Sequence, residues 1–472
     1  MQRSFFMKIA RRTPFDGPPR ITAPSVFCAA PGKPFLYRIP VLGKRPIHLH
    51  VFGLPDGLSD SGDGILKGKP AVGIYPVTIT AQNELGQTEH CLQLIVAEHC
   101  FRKPPIMGFC SWNAYGNNVT QEDILQTGRD MLRLGLADYG YGYVNLDSSW
   151  QGNCDPHGVI VPNEKFPDMK AMCDELHGMG FRAGIYSSPM RTAWGAPPGR
   201  DAIPGCTRGE RDLRFAATMG GIGREHHERE NALQWAQWGF DYLKYDWSPT
   251  DAVNADLMRR ALWDSGRDFS YCVTVKAALE YADYWKTYCT AWRCCLDSNG
   301  TWDNLLSRIL AYTPWKEHTG NGHYFDLDML EFGEMSLFRS ELTDDEKIVA
   351  YTARILLLSP IQLSCRIGGL TEFELDLICN EEVIALHQDG LMHAPTLIDA
   401  DALLYTYRRP LENGDIALAF FNLSEQPRRA SYVLPERCSV RDVWRREDEG
   451  ECTRLQYFLP PHTVKLLRLH QC

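Results

Sequence analysis

From residue 106 onward the chain repeats one unit, a short apolar run followed by a helical stretch, and it does so eight times. IMGFCSW precedes TQEDILQTGRDMLRLGL, YGYVNLD precedes FPDMKAMCDELHGMG, and FRAGIYSS precedes ERENALQWAQWG after a long loop. FDYLKYD, DFSYCVTV, TAWRCCLD, HYFDLDML and PIQLSCR then each lead into a helical pattern of their own. Such alternation predicts a parallel sheet, and eight units in roughly 280 residues suit a closed (β/α)8 barrel. An open doubly wound sheet is the alternative, weakened because no GxGxxG follows the first strand.

The flanks read differently. Residues 20–99 are predicted to be an all-β, sandwich-like module, since YPVTITAQNELG and CLQLIVAEH carry strand periodicity between turn-rich segments. Residues 104–390 are assigned to the barrel. Strand signals return over 391–472 in LLYTYRR, DIALAFFNLS, RRASYVLP and TVKLLRLHQ, predicting a C-terminal antiparallel β-sandwich. Three units suit a chain of 472 residues. A net charge of −10 argues against nucleic acid as a partner. There is no apolar run long enough to span a membrane. The first residues carry no apolar core of a secretory leader. The sixteen cysteines are scattered, without paired CxxC spacing. They are expected to be reduced thiols of a cytoplasmic protein, a secreted or periplasmic protein with its leader outside this sequence being the alternative. Whether identical chains associate is left open.

In a barrel of this kind the active site lies at the C-terminal ends of the strands, so the residues there carry the functional reading. Trp112 closes the first apolar run and Asp147 the second. The fourth reads Tyr242-Leu243-Lys244-Tyr245-Asp246, the sixth runs from Trp292 to Asp297 through Arg293, and the seventh holds Asp326 and Asp328. One aspartate after a strand is more often a helix cap than a catalyst. Several carboxylates, two cations and aromatic surfaces at one mouth point to a site. Glycoside cleavage fits: one carboxylate attacks or activates, and one carboxylic acid protonates the leaving oxygen. Lys244 and Asp246 alternate onto the same strand face, so the ammonium is expected to keep Asp246 ionised while apolar surroundings raise the acid. Trp112 and Tyr186 suit the apolar faces of a sugar. No glycine-rich phosphate cradle supports phosphoryl transfer.

MGFCSWNAYG, GLADYGYGYVNLDSSW, KFPDMKAMCDELHGMGFRAGIYSS, FDYLKYDWS, AWRCCLDSNGTWDNL, DLDMLEFG and EEVIALHQD resemble, in that order, glycoside hydrolase family 27, the clan-D group of α-galactosidases and α-N-acetylgalactosaminidases. The tail resembles that family's C-terminal β-sandwich, and residues 20–98 an immunoglobulin-like module found ahead of some bacterial members. The resemblance implies a retaining exo-glycosidase acting through a covalent glycosyl-enzyme, without cofactor or metal. It makes Asp246 the nucleophile and Asp297 the acid/base. It makes Trp112 the stacking tryptophan, Asp147 and Lys244 ligands of sugar hydroxyls, and Arg293 a ligand near the 2-position. Tyr186 and Asp328 join the same substrate-binding set. An α-galactoside or a related glycoside is the implied substrate.

The sequence departs from the family at several points. Ser148 stands where a second hydroxyl-binding aspartate is usual, which opens the pocket to a sugar lacking the 6-hydroxymethyl group, such as β-L-arabinopyranose. The strand-five motif that senses the 2-substituent is not recognisable in YCVTVKAALEY, so an N-acetylgalactosaminide is a further alternative. Phe109 replaces a tryptophan, and Asn117 and Ser248 replace cysteines that many relatives pair. The segment Trp194 to Glu230 is longer than expected and is placed near the mouth. His48 and His50, and His226 and His227, are not read as metal ligands, and the vicinal Cys294-Cys295 pair is read as packing within a strand. A catalytically silent sugar-binding protein would lack one of the two carboxylates, and both are present. A metal-dependent hydrolase would need histidines at strand ends, and strands one to six have none.

Overall fold

The computed structural model describes residues 7–155, 159–189, 226–248 and 250–472. Its central sheet has eight parallel strands: Met107–Cys110, Tyr143–Asn145, Arg182–Ser187, Tyr242–Asp246, Ser270–Thr274, Ala291–Trp292, Tyr324–Phe325 and Ile361–Leu363. We call them barrel strands one to eight. Strands one to seven pair in sequence order, each with the next up to the seventh, and the first also pairs with the eighth. The remaining gap is spanned past the end of strand seven, where Leu330 forms a parallel bridge with Leu363 of strand eight. Leu330 donates its amide to the Gln362 carbonyl at 2.8 Å and accepts from the Ser364 amide at 3.3 Å. The expected eightfold barrel is therefore present and closed.

Alternation along the strands divides the side chains between two environments. Phe109, Val144, Ile185, Leu243, Val273, Trp292 and Phe325 point outward into the main core shared with the helices. Tyr143, Tyr242, Cys272 and Ala291 point inward and plug the N-terminal end of the barrel. Two glycines permit the close approach of strands there. A β-carbon on Gly184 would lie 2.0 Å from the Asn145 Oδ1, and one on Gly108 would lie 2.3 Å from the Tyr143 carbonyl oxygen. With the floor filled by apolar side chains, polar inward positions are pushed to the opposite end.

The helices start where the local sequence supplies caps. Thr120, Thr343 and Thr371 each accept a backbone amide three residues on, and Asp123, Glu346 and Glu374 return a bond to the cap amide. Helix Asp344–Leu357 is buried on nearly all sides, because it lies between barrel and C-terminal sheet. Its Thr352 accepts the Trp444 indole N–H at 2.9 Å.

The C-terminal unit is one six-stranded antiparallel sheet from Thr396–Asp401 to Thr463–Gln471. Strand Ile416–Asn422 shows how it is used. Ala417, Ala419 and Phe421 join the barrel core. Leu418 and Phe420 join a second core with Ala430, Val440, Leu455 and Leu467. Register shifts in the long hairpin Arg428–Asp442 and Glu447–Leu459 let the sheet curl around that second core. The N-terminal unit sets a four-stranded sheet against a three-stranded one, with Phe27, Phe35, Ile79, Leu92 and Leu94 between them. It stands on the floor of the barrel: the Arg182 guanidinium donates to the Leu36 carbonyl at 2.8 Å and lies over the Phe27 ring. The mouth of the barrel is thus at the far end from this module.

Candidate active site

Polar side chains cluster at the C-terminal ends of strands two, three, four and five and on the segments that follow strands six and seven. Asp246 is the last residue of strand four and is 6% exposed. Tyr186 of strand three lies in register with Lys244, and its hydroxyl donates to the Asp246 Oδ2 at 2.8 Å. The other oxygen, Oδ1, has no hydrogen-bond partner among the described residues. One lone-pair face of a buried carboxylate is thereby anchored and the other left available, which is what an attacking oxygen requires.

Asp147, two residues past strand two, is held from several directions. It accepts the Lys244 ammonium at 2.6 Å, the Cys110 thiol at 3.1 Å and the Ser148 amide at 2.7 Å. Its own amide donates to the Ser111 hydroxyl at 2.9 Å. Arg293, immediately after strand six and 2% exposed, joins three groups. Its guanidinium meets Asp297 at 2.7 Å and Asp328 at 2.8 Å, and its Nε donates to the Thr274 hydroxyl at 2.5 Å. Asp328 has a positive φ of 66° and accepts the Ser298 amide at 2.8 Å. Through Arg293 and Asp328 the loop carrying Asp297 is tied to the end of strand seven.

The electrostatics follow from burial and pairing. Burial pushes the Asp246 carboxyl above its ordinary value; Lys244, Arg293 and the Tyr186 hydrogen bond oppose this without cancelling it, and the Asp297 charge adds to the rise. Burial alone would lower the Lys244 ammonium, but Asp147 and the other negative groups around it lift it above its usual range. Burial likewise opposes ionisation of Asp328, yet Arg293, Lys244 and Arg308 hold its carboxyl below the carboxylate range. Asp326 is raised by burial and by the charge of Asp328 beside it. The site thus pairs a carboxylate fixed as an anion with others whose proton affinity is raised.

The structure brings Asp147, Ser148, Tyr186, Lys244, Asp246, Arg293, Asp297 and Asp328 to one end of the barrel, with several expectations corrected. Lys244 bonds Asp147 rather than Asp246, and its charge does not outweigh burial, so the Asp246 pKa rises instead of falling. The Tyr186 ring is buried, so it is the hydroxyl that serves the site and not an apolar face. Trp112 does not end strand one; it lies half-buried in the short helix Ser111–Tyr115 that follows. Strand six stops at Trp292, which places Asp297 and the Cys294-Cys295 pair on the loop beyond it. The Asp297 side chain is 77% exposed and paired with Arg293, not enclosed by apolar groups. Ser148 is buried. Of the segment Trp194 to Glu230, only residues from 226 on lie within the described residues. None of the site aspartates caps a described helix; that role falls to residues such as Asp168 and Asp251.

Sequence reasoning missed Cys110, Thr274 and Ser298. Thr274 had a usable signal: it ends strand five in direct register with Asp246, inside a segment that matched no recognised motif. Cys110 ends strand one but lacks the charge by which the other residues drew attention.

The Tyr186 hydrogen bond yields a prediction. It stabilises the ionised carboxylate, so Tyr186→Phe raises the Asp246 pKa further. Activity that needs ionised Asp246 is lost as pH falls through that pKa. The acid limb of kcat/KM therefore lies at higher pH in the variant than in the parent, and the rate falls by about tenfold or more. A pH–rate profile of both proteins checks this; an unmoved acid limb removes Tyr186 from the argument.

Comparison with known proteins gives the following. A family model described as alpha galactosidase A matches residues 211–389. One described as the alpha galactosidase C-terminal beta sandwich domain matches residues 403–469. The α-galactosidase of Cyamopsis tetragonoloba is 30% identical over 339 residues, 70% of this chain and 75% of that protein. α-Galactosidase A of Cellvibrio japonicus is 28% identical over 402 residues, 78% of this chain and 92% of that protein. A crystal structure from Bacteroides fragilis, assigned as an α-galactosidase/melibiase, superposes with a TM-score of 0.86 at 28% identity, covering 96% of this chain and 98% of that one.

Proposed function

The chain belongs to the α-galactosidase family of glycoside hydrolases, family 27, and from that membership we propose that it releases terminal α-linked galactose by a retaining double displacement. Asp246 is the nucleophile. Its Oδ2 is held by Tyr186 and its Oδ1 attacks the anomeric carbon from the face opposite the leaving oxygen. Asp297 protonates that oxygen as the bond breaks and later takes a proton from the water that releases the sugar. Both steps pass through a positively charged, oxocarbenium-like sugar, which the buried anion of Asp246 stabilises. Lys244 and Asp147 form a donor–acceptor pair for ring hydroxyls, and Arg293 links Asp297 to Asp328 so that the acid keeps its orientation. The observation that carries this reading is the half-satisfied, buried carboxylate of Asp246 at the end of its strand, with the cations Lys244, on the same strand, and Arg293, after strand six, acting on it.

Proton NMR of the first-formed product tests the stereochemistry. From an aryl α-galactoside the initial sugar is expected as the α-anomer, appearing before mutarotation, whereas an initial β-anomer overturns the mechanism.

Ser148 supports a second reading of the sugar. A neutral, buried residue replaces a charged acceptor, so the enzyme gains less from a 6-hydroxymethyl group than an aspartate would provide. We expect aryl β-L-arabinopyranoside, which shares the ring stereochemistry of galactose, to be hydrolysed with kcat/KM within about a hundredfold of the α-galactoside. A larger galactoside preference removes the arabinoside reading and leaves the galactosidase one intact.

A further inference from the structure

We propose that Cys28 and Cys100 are a thiol pair that a small anionic disulfide, entering the cleft between the N-terminal sandwich and the barrel floor beside the Lys33 ammonium, converts into a disulfide. Cys28 lies on strand Val26–Ala29 of the sandwich, and Cys100 on the linker that leads into the barrel. Strand Val26–Ala29 runs parallel to Gly86–Val96, and the Ala97 amide donates to the Ala29 carbonyl at 3.2 Å. That pairing folds the linker back over the Cys28 side chain. The Cys28 thiol donates to the Cys100 carbonyl oxygen at 2.9 Å across a sequence separation of 72 residues. Both sulfurs are reduced in the structure.

Cys28 is fully buried, but Cys100 lines the cleft, together with Lys33, His99, Lys103, Arg259 and Trp263. Trp263 is stacked on His99 at 3.9 Å and covered by the Lys33 ammonium at 4.2 Å, so the cleft wall is built and not a loose surface. Of the cations lining it, Lys103, Arg259 and Arg267 are paired with Asp268, Asp256 and Asp241, which leaves the Lys33 ammonium as the one of the four without a carboxylate partner among the described residues and so the group open to a ligand carboxylate. The site lies at the opposite end of the barrel from Asp246, and the hydrolytic reading uses neither sulfur.

The two thiols have different chemistry. The side-chain interaction with the Cys28 thiol, the Arg102 amide and the charges of Lys103 and Arg102 pull the Cys100 thiol down to about 6 against the effect of burial. Burial pushes the Cys28 thiol well up. Cys100 is therefore the attacking thiolate. It attacks one sulfur of the small disulfide and expels the other half as a thiolate, leaving a mixed disulfide on Cys100. The Cys28 sulfur, losing its proton, then attacks the Cys100 sulfur and expels the second half. Two protein thiols are oxidised, one disulfide is reduced to two thiols, and two protons pass to the expelled thiolates. The product clips the sandwich to the linker that feeds barrel strand one.

The test treats the full chain with oxidised glutathione at neutral pH, quenches in acid, and maps peptides without reduction. The parent protein is expected to yield a Cys28–Cys100 cross-linked peptide and to lose two titratable thiols. Cys28→Ser is expected to stop at a glutathionyl group on Cys100, and Cys100→Ser to leave Cys28 unmodified. A separate alkylation time course should find Cys100 about tenfold faster than the exposed Cys91 and Cys472. Hydrolysis of an aryl galactoside should be unchanged in either variant, which separates this proposal from the hydrolytic one. A glutathionyl group that persists on Cys100 in the parent, or Cys100 reacting no faster than Cys91, overturns the proposal.

Discussion

Asp246→Gly abolishes glycoside hydrolysis, lowering kcat by about 10⁴-fold or more, because the covalent path has no attacking atom. Azide restores part of the rate. It enters the space vacated by the carboxylate and attacks the same face of the sugar, so the product from an α-galactoside is the β-galactosyl azide. The configuration of the azide is the decisive measurement. A variant with normal activity, or an azide adduct of α configuration, is incompatible with Asp246 as nucleophile. The same residue makes a stability prediction of known sign. Its folded pKa is raised by burial, so the native state binds a proton more readily than the unfolded chain does. Stability is present below the ordinary aspartate pKa and is lost as pH rises through the folded value. At neutral pH the buried charge is a cost, and Asp246→Asn should unfold at a temperature equal to or above that of the parent while losing turnover.

Asp297→Ala produces a different pattern. General-acid assistance is worth about 10²–10⁴-fold when the leaving group is a poor one. The variant should lose this much on an alkyl galactoside or an oligosaccharide, and little in the bond-cleaving step on a dinitrophenyl galactoside, whose phenolate departs without a proton. The galactosyl-enzyme then accumulates, since water has lost its base, and appears as a burst of dinitrophenol. Azide here attacks the intermediate from the opposite face to Asp246 and gives the α-galactosyl azide. Equal losses across leaving groups would reassign Asp297 to a structural role. Its contact with Arg293 at 2.7 Å makes that control necessary, because Arg293 also holds Asp328 and Thr274. If Asp297 served only that network, Asp297→Asn would preserve the dinitrophenyl and alkyl rates alike.

Asp297, five residues past the end of strand six, was marked out by the resemblance of AWRCCLDSNGTWDNL, whereas Asp246 could be found from the chain alone because it stands where an inward-facing apolar strand runs out. A charged residue at that place has no hydrophobic reason to be there. Lys244 was legible for the same reason, two positions earlier on the same strand face. Its partner was not. Strand alternation says which face a side chain occupies but not which of several acids it reaches. Only the placement of strands two and four around the ring gives the ammonium to Asp147. Tyr186 is a similar case. An aromatic residue at a strand end suggests a sugar platform, yet the width of the barrel buries the ring and brings the hydroxyl to Asp246.

The order of elements and the eightfold alternation were written in local pattern, since strand and helix periods and capping residues are short-range signals, while the roles proposed for Asp246 and Asp297 came from the family resemblance. The closure through Leu330 and Leu363, the exchange of Lys244 from Asp246 to Asp147, the tether from Arg293 to Asp328, and the meeting of Cys28 with Cys100 join residues far apart in the chain. Such contacts depend on how the ring closes and how the flanking sheets seat on it, and no short stretch of sequence encodes that geometry.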